Sequence, residues 1–450
     1  MGAWPELRES RTVRAGRESA TVVRCSLTDV MLADLPVSVV FFYRETLDTD
    51  RLAEGLAVAL AHVPVFAGRL RPVGDGLEIV CDDSGVPMNS YDVDESLGEA
   101  MGRVTLAGSG YAEHVDAPRA RGGGDPLLTV RVSRLAGGGT ALGCSWHHAV
   151  GDMLSFMVLM RAWSAAVEGT PLPETAIVGD RDAYLEDVLP RQDSGRPGFR
   201  LPDAEDAAGI RREFETALRA NRTVQVYFSD EEVARMREKF TASAGRRLST
   251  NDVLCGHLVS TIRGLAEDTG EARSLAMPVN IRKHLGIPAD MIGNLVSEVF
   301  LTAAPNCGPE ALAVRIRTEL EDFTRSHLSI RANHAFIGSL DPERLRDCVP
   351  VGFDPTHRTF TVSNWSRFGV YDIAFGGRRP AFFSPAADLQ LPWISWLVEG
   401  FDNTGFLLTV VVPSRLALRM RSEAGSAALH RFRETGDTVP ALAGSVRKLI

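Results

Sequence analysis

Side chains suited to proton chemistry concentrate in one run, Cys144-Ser145-Trp146-His147-His148-Ala149-Val150-Gly151-Asp152. Imidazole takes up and returns a proton near neutral pH, so His147 and His148 are candidate general bases. Two other chemistries compete for the same residues. His147, His148 and Asp152 together carry metal-ligating atoms. Adjacent residues at a strand end point to opposite faces, however, so both rings would hardly reach one ion. Gly143-Cys144-Ser145-Trp146-His147 half-matches a G-x-S-x-G nucleophile elbow, but His147 replaces the closing glycine that the sharp turn needs. A histidine pair also occurs as a satisfied core feature, so the neighbouring elements must decide.

Those elements are readable. Leu127 to Leu135, the Gly137-Gly138-Gly139 turn and Thr140 to Trp146 predict a β-hairpin leading into the histidines. Phe156, Leu159, Met160, Trp163 and Val167 recur at helical spacing, and the pattern stops at Glu168-Gly169. The histidines therefore sit where a strand ends and Asp152 where a helix begins, a junction at which a packed scaffold aims polar side chains. Upstream, Leu35 to Arg44 predicts a buried strand, Asp50 to Val63 a helix ended by Pro64, and Leu77 to Cys81 a short strand. Periodicity fades from Leu189 to Ala220 among turn residues (Gln192 to Gly198) and charges (Asp203 to Asp206). This predicts a crossover at 189–222 between halves 1–188 and 223–450. The second half restarts with a strand at Thr223 to Phe228, a helix from Asp230, and a helix through Val253, Leu254, His257, Leu258 and Ile262 capped by Ser249 or Thr250. A Pro309-led stripe carries His327 as a core or interface residue, Thr361 to Trp365 is a strand ending in polar groups, and Gly405 to Val412 is a last strand.

His148-Ala149-Val150-Gly151-Asp152 resembles the HxxxD element of the BAHD acyltransferases and the related peptide-synthetase condensation domains. Ala67-Gly68-Arg69-Leu70 matches the family's AGRL segment, Ser249-Thr250 its ST before a long helix, Met277 to Lys283 its VDxR segment, and Gly293-Asn294 its GN. Tyr371 to Pro380 resembles the DFGWG signature but departs from it: Ala374 stands at the Asp, Gly377 at the Trp and Arg378 at the second Gly. The resemblance implies an α/β fold of two chloramphenicol-acetyltransferase-like domains, each a mixed sheet with helices, and a channel between them. It implies acyl transfer from a thioester to a hydroxyl or amine, with His148 as general base and Asp152 in a structural role beside Arg282. The departures in the second signature bear on cofactor geometry.

Ser363, Asn364 and Trp365 are polar candidates for the oxyanion or the pocket, although Asn364 also suits backbone capping. Ser249 and Thr250, at a helix N-terminus, suit an anionic or pantetheine-like ligand; plain capping is the alternative. Arg378 and Arg379 are candidates for cofactor phosphates, or else a solvated turn. Acyl-CoA is expected as co-substrate, with no tightly bound cofactor and no metal. An acyl carrier protein as donor, or a non-catalytic binding relative, are the alternative readings.

Composition sets outer bounds. A chain of 450 residues exceeds what one core usually serves, so two domains are expected. Apolar content of 44% with 24% charged residues is ordinary for a globular chain. Net charge of −9 disfavours nucleic acid and anionic membranes as partners. No apolar run approaches the ~20 residues of a membrane span, and Met1 to Glu6 lacks the features of a secretory signal, which points to the cytoplasm. The six cysteines lack paired spacing, as expected for reduced thiols. Lys239, Lys283 and Lys448 are the lysines of an otherwise arginine-rich chain, a composition that GC-rich coding produces and that points to a bacterial source. A monomer in specialised metabolism, antibiotic biosynthesis included, completes the expectation.

Overall fold

The computed structural model describes residues 5–17, 19–106, 108–191, 196–267, 273–304, 307–326, 329–341, 344, 347–354, 359–386 and 393–444. His327 and residues 192–195 of the expected crossover lie outside them. Two six-stranded mixed sheets organise the chain, with helices packed on them, as expected. The first runs Glu6–Val13, Val86–Val93, Leu128–Leu135, Thr140–His147, Pro36–Tyr43, Phe382–Pro385. Its neighbours are antiparallel except Val86–Val93 beside Leu128–Leu135. The second runs Asn221–Phe228, Phe406–Pro413, Ile394–Glu399, Phe360–Asn364, Arg273–Asn280, Val296–Ala303. Its three middle pairings include two parallel ones, where Phe360–Asn364 lies between Ile394–Glu399 and Arg273–Asn280.

The hairpin ahead of the histidines forms because Gly137 and Gly138 adopt φ of +86° and +97°, which glycine reaches without strain. Its second strand, Thr140–His147, is buried at every position, since it pairs on both edges and lies under the helix Met153–Glu168. Trp146 binds strand to helix. Its ring stacks on Phe156 with centroids 4.2 Å apart, and its indole N–H donates to the Gly151 carbonyl at 3.0 Å. Phe156 in turn approaches Phe41, and Phe41 approaches Phe383. The helix stops where the sequence indicates, at Gly169 in the left-handed conformation.

Two elements depart from the sequence reading. Phe382–Pro385, from the second half, adds an edge strand to the first sheet, pairing Phe383 with Phe41. Four residues are too few to show a period, but their complete burial explains the move. In addition, Ala204–Ala220 is a helix inside the segment read as turn and charge. Among its described side chains only Ile210 is buried, with Phe214 partly buried one turn on, so the apolar stripe is too narrow to stand out. Among the described residues no helix is long and apolar enough to cross a membrane.

Trp146→Ala removes the stacked ring and its hydrogen bond and should destabilise the protein by about 3–5 kcal/mol. Denaturant unfolding of the variant measures the loss.

Candidate active site

The strand ends on His147, a single 3-10 turn spans His148–Val150, and Asp152 caps the following helix. The two histidines are treated oppositely. His147 is fully buried; its Nδ1 accepts from the Ala149 N–H at 3.1 Å, so Nε2 carries the proton and donates to the Ala117 carbonyl at 3.2 Å. Burial pushes its pKa down to about 4, so it is a neutral structural ring near neutral pH. Both its nitrogens are consumed by backbone, which removes it as a metal ligand beside His148. Ser145 is equally enclosed, accepting from Ser38 Oγ at 2.9 Å and from the Val115 N–H at 3.0 Å. It is no exposed nucleophile. Among the described residues no three His, Cys, Asp or Glu side chains gather to hold a metal ion.

Asp152 is held by a two-pronged guanidinium. Arg282 Nη1 donates to Oδ2 at 2.7 Å and Nη2 to Oδ1 at 3.1 Å. Arg282 opens the short helix Arg282–Leu285, just past the strand Arg273–Asn280, and also donates to the carbonyls of Met291 and Gly293. Ser155 Oγ and N–H and the Leu295 N–H complete the carboxylate's partners. Burial alone pushes the Asp152 pKa up, but the Arg282 charge and these hydrogen bonds outweigh it and hold it below the ordinary carboxylate value. Gly151 must be small here: a Cβ would lie 2.6 Å from Ser155 Cβ.

His148 lines a cavity of about 280 Å³ between the sheets. Its Nδ1 lies 3.0 Å from Asn294 Oδ1, and Asn294 Nδ2 donates to the His148 carbonyl at 2.8 Å. Burial lowers the His148 pKa against the opposing pull of Asp152 and Asn294. The walls are mainly apolar, with Val37, Leu154, Phe353, Trp365 and Trp396 among them. Ser363, Asn364 and Trp365 line the same space. The amide of Asn364 is already engaged, Nδ2 donating to Asn251 Oδ1 at 2.8 Å and Oδ1 accepting from the Ser366 N–H at 2.9 Å.

Ser249 and Thr250 line a second cavity, also about 280 Å³, which shares Pro278, Asn280 and Asn364 with the first. Ser249 caps the helix Thr250–Leu265 in a capping box with Asp252. The two spaces thus meet at the Asn364–Asn251 contact. Arg378 and Arg379 line neither of them. They belong to an exposed turn where Arg379 pairs with Asp372, Gly377 N–H donates to Glu168, and Ala374 exchanges hydrogen bonds with Ser164. The degraded signature segment therefore docks on the far end of the Met153–Glu168 helix, with the Phe375 ring 5.0 Å from Trp163.

Sequence reading gave no role to Asn294, Asp29, Arg181 or Ser155, all buried around the His148–Asp152 turn. Ser26-Leu27-Thr28-Asp29 and Asp152-Met153-Leu154-Ser155 are cap-like spacings, the one signal available for two of them. Arg181 carries none. Arg282→Met leaves Asp152 buried without its cation and should destabilise by about 3–5 kcal/mol at neutral pH. Because the wild-type Asp152 pKa is depressed, its stabilisation is present above the unfolded value near 4 and is lost as pH falls through the folded value. In Arg282→Met burial raises that pKa instead, so thermal unfolding should show the gap to wild type narrowing as pH is lowered.

Known proteins resemble this chain over most of its length. The model of the Transferase family matches residues 6–414. Agmatine coumaroyltransferase-1 of Hordeum vulgare is 26% identical over 392 residues, covering 82% of this chain and 85% of its own. Anthranilate N-benzoyltransferase protein 3 of Dianthus caryophyllus is 26% identical, covering 75% and 76%. Among solved structures, F. graminearum TRI101 complexed with coenzyme A and T-2 mycotoxin matches with a TM-score of 0.72 at 16% identity, covering 90% of this chain and 98% of that one. Vinorine synthase matches with a TM-score of 0.66 at 17% identity, covering 92% and 96%. These two curated relatives are plant enzymes, which lends no support to the bacterial source and antibiotic role expected from the sequence. The chain belongs to the transferase family that its HxxxD element resembles, the BAHD family, and is an acyltransferase of the two-sheet chloramphenicol-acetyltransferase-like fold.

Proposed function

We propose that the protein moves an acyl group from acyl-CoA to a hydroxyl or amine of a small-molecule acceptor, with His148 as general base in a ternary complex. One observation carries this reading: His148 lines the cavity between the sheets while Asn294 occupies its Nδ1, which leaves Nε2 to face a bound acceptor. The acceptor O–H or N–H gives its proton to Nε2 as its lone pair attacks the thioester carbonyl. The tetrahedral intermediate then collapses, and the departing thiolate takes up the proton from His148. No serine ester forms. A positioned base contributes about 10²–10⁴ in rate, and holding both substrates in one cavity supplies much of the rest.

Ser363 and Trp365 are the better oxyanion candidates, since the Asn364 amide already bridges to Asn251 and Ser366. One such donor is worth about 10²–10³ in kcat. The donor's arm is proposed to lie in the second cavity by Ser249 and Thr250 at the start of a 16-residue helix. Arg378 and Arg379, outside both cavities, receive no contact with it. The coenzyme A complex of TRI101 supports a CoA thioester over a carrier-bound donor. In this reading residues 1–188 and 223–450 act as two lobes joined through 189–222, and a monomer works in specialised metabolism in the cytoplasm.

A panel of acyl-CoAs, followed by free-thiol release with and without alcohols and amines, tests the activity. Turnover should need no carrier protein. His148→Ala should lower it at least about 10²-fold while leaving the melting temperature close to wild type. Near-normal turnover by that variant would remove His148 from the chemistry, and release only from an acylated carrier would overturn the donor.

A further inference from the structure

A general base needs the correct ring nitrogen bare, and something must decide which one. Asp152 cannot, because both its oxygens are taken by Arg282, Ser155 and Leu295. A second buried network approaches His148 from the other side. Asp29, fully buried in the short helix Leu27–Met31, accepts from Asn294 Nδ2 at 2.7 Å and from the Asn294 N–H at 3.3 Å through Oδ1. Its Oδ2 accepts from Arg181 Nη1 at 2.9 Å and from the Ser26 N–H at 2.7 Å. Arg181, also buried, donates to the carbonyls of Ala149 at 3.1 Å and Val150 at 2.9 Å, inside the turn that carries His148.

We propose that Asp29, anchored by Arg181, orients the Asn294 amide and through it sets which nitrogen of His148 holds the proton. The logic follows from donor and acceptor types. A carboxylate only accepts, so the end of Asn294 facing Asp29 must be its NH₂. That NH₂ spends its other hydrogen on the His148 carbonyl at 2.8 Å. The amide oxygen then faces His148 Nδ1 and can only accept, so Nδ1 bears the hydrogen and Nε2 is bare. A flipped amide would set its oxygen against both the Asp29 carboxylate and the His148 carbonyl, two acceptor-to-acceptor contacts in a buried site. Asp29, Arg181 and Asn294 are positioning residues and touch no substrate. The other charged or titratable groups facing His148 are Asp152 with Arg282, the neighbouring His147, and Glu298 on the cavity wall.

This inference rests on His148 being the base, but its first test needs no turnover. Nitrogen NMR of histidine-labelled full-length protein reads the tautomer directly, with the His148 signals identified by their loss in His148→Gln. Wild type should show Nδ1–H. The isosteric Asp29→Asn should mix the tautomers and lower kcat about 10–100-fold with little change in KM. The near-isosteric Asn294→Leu removes the acceptor from Nδ1, so the Nδ1–H form should lose its dominance. A merely structural role would lower activity without changing the tautomer. An unchanged Nδ1–H tautomer in folded Asp29→Asn or in Asn294→Leu overturns the proposal; should Asp29→Asn not fold, the second variant decides alone. Full activity of His148→Ala would sink the base assignment and leave the tautomer measurement to be judged separately.

Discussion

Asp152 and Arg282 stand 130 residues apart and meet as a buried ion pair, and the geometry of the site depends on that contact. A charge taken out of water is tolerated only when nearly every lone pair and N–H finds a partner. Here the carboxylate also caps a helix and binds the Leu295 N–H, while the guanidinium gathers the Met291 and Gly293 carbonyls. The pair thus joins the helix start that follows the first sheet's central hairpin to the loop between two strands of the second sheet. His148, lodged between them, inherits its position from both.

The paired histidines show how one strand end divides structural and chemical work. Alternation sends His147 inward, where burial and two backbone partners keep it neutral. His148 steps off the strand into a one-turn helix, and its N–H still bonds to the Leu35 carbonyl at 3.0 Å. Its backbone therefore remains tied to the sheet while its ring reaches the cavity. Trp146, stacked on Phe156 and bonded to Gly151, keeps the turn between strand and helix short. A largely apolar wall around one imidazole favours its neutral form and strengthens whatever polar contacts it makes.

The second signature segment illustrates a different constraint. Its aspartate and tryptophan positions hold Ala374 and Gly377, yet the turn remains docked through backbone contacts to Ser164 and Glu168 and through Phe375 against Trp163. Shape is preserved by main-chain hydrogen bonds and one aromatic ring, which tolerate changes in the other side chains. The same stretch leads into Phe382–Pro385, whose insertion beside Pro36–Tyr43 commits the second half of the chain to the first half's sheet.

What the sequence determined by itself is the local framework and the place of the chemistry. Glycines made the hairpin visible, helical spacing fixed Met153–Glu168, and the five residues from His148 to Asp152 carried the family likeness. These features rest on caps, turns and periods that act within a few residues. Tertiary structure decided the rest. Asn294 meets Asp29 across 265 residues and Arg181 meets Asp29 across 152, and no local period encodes such meetings. Likewise Arg378 and Arg379 look like a phosphate site in sequence but sit on a turn outside both cavities. Long-range packing of two sheets, each burying its own apolar face, settles which distant polar groups become neighbours, and that information is distributed over the whole core instead of any one segment.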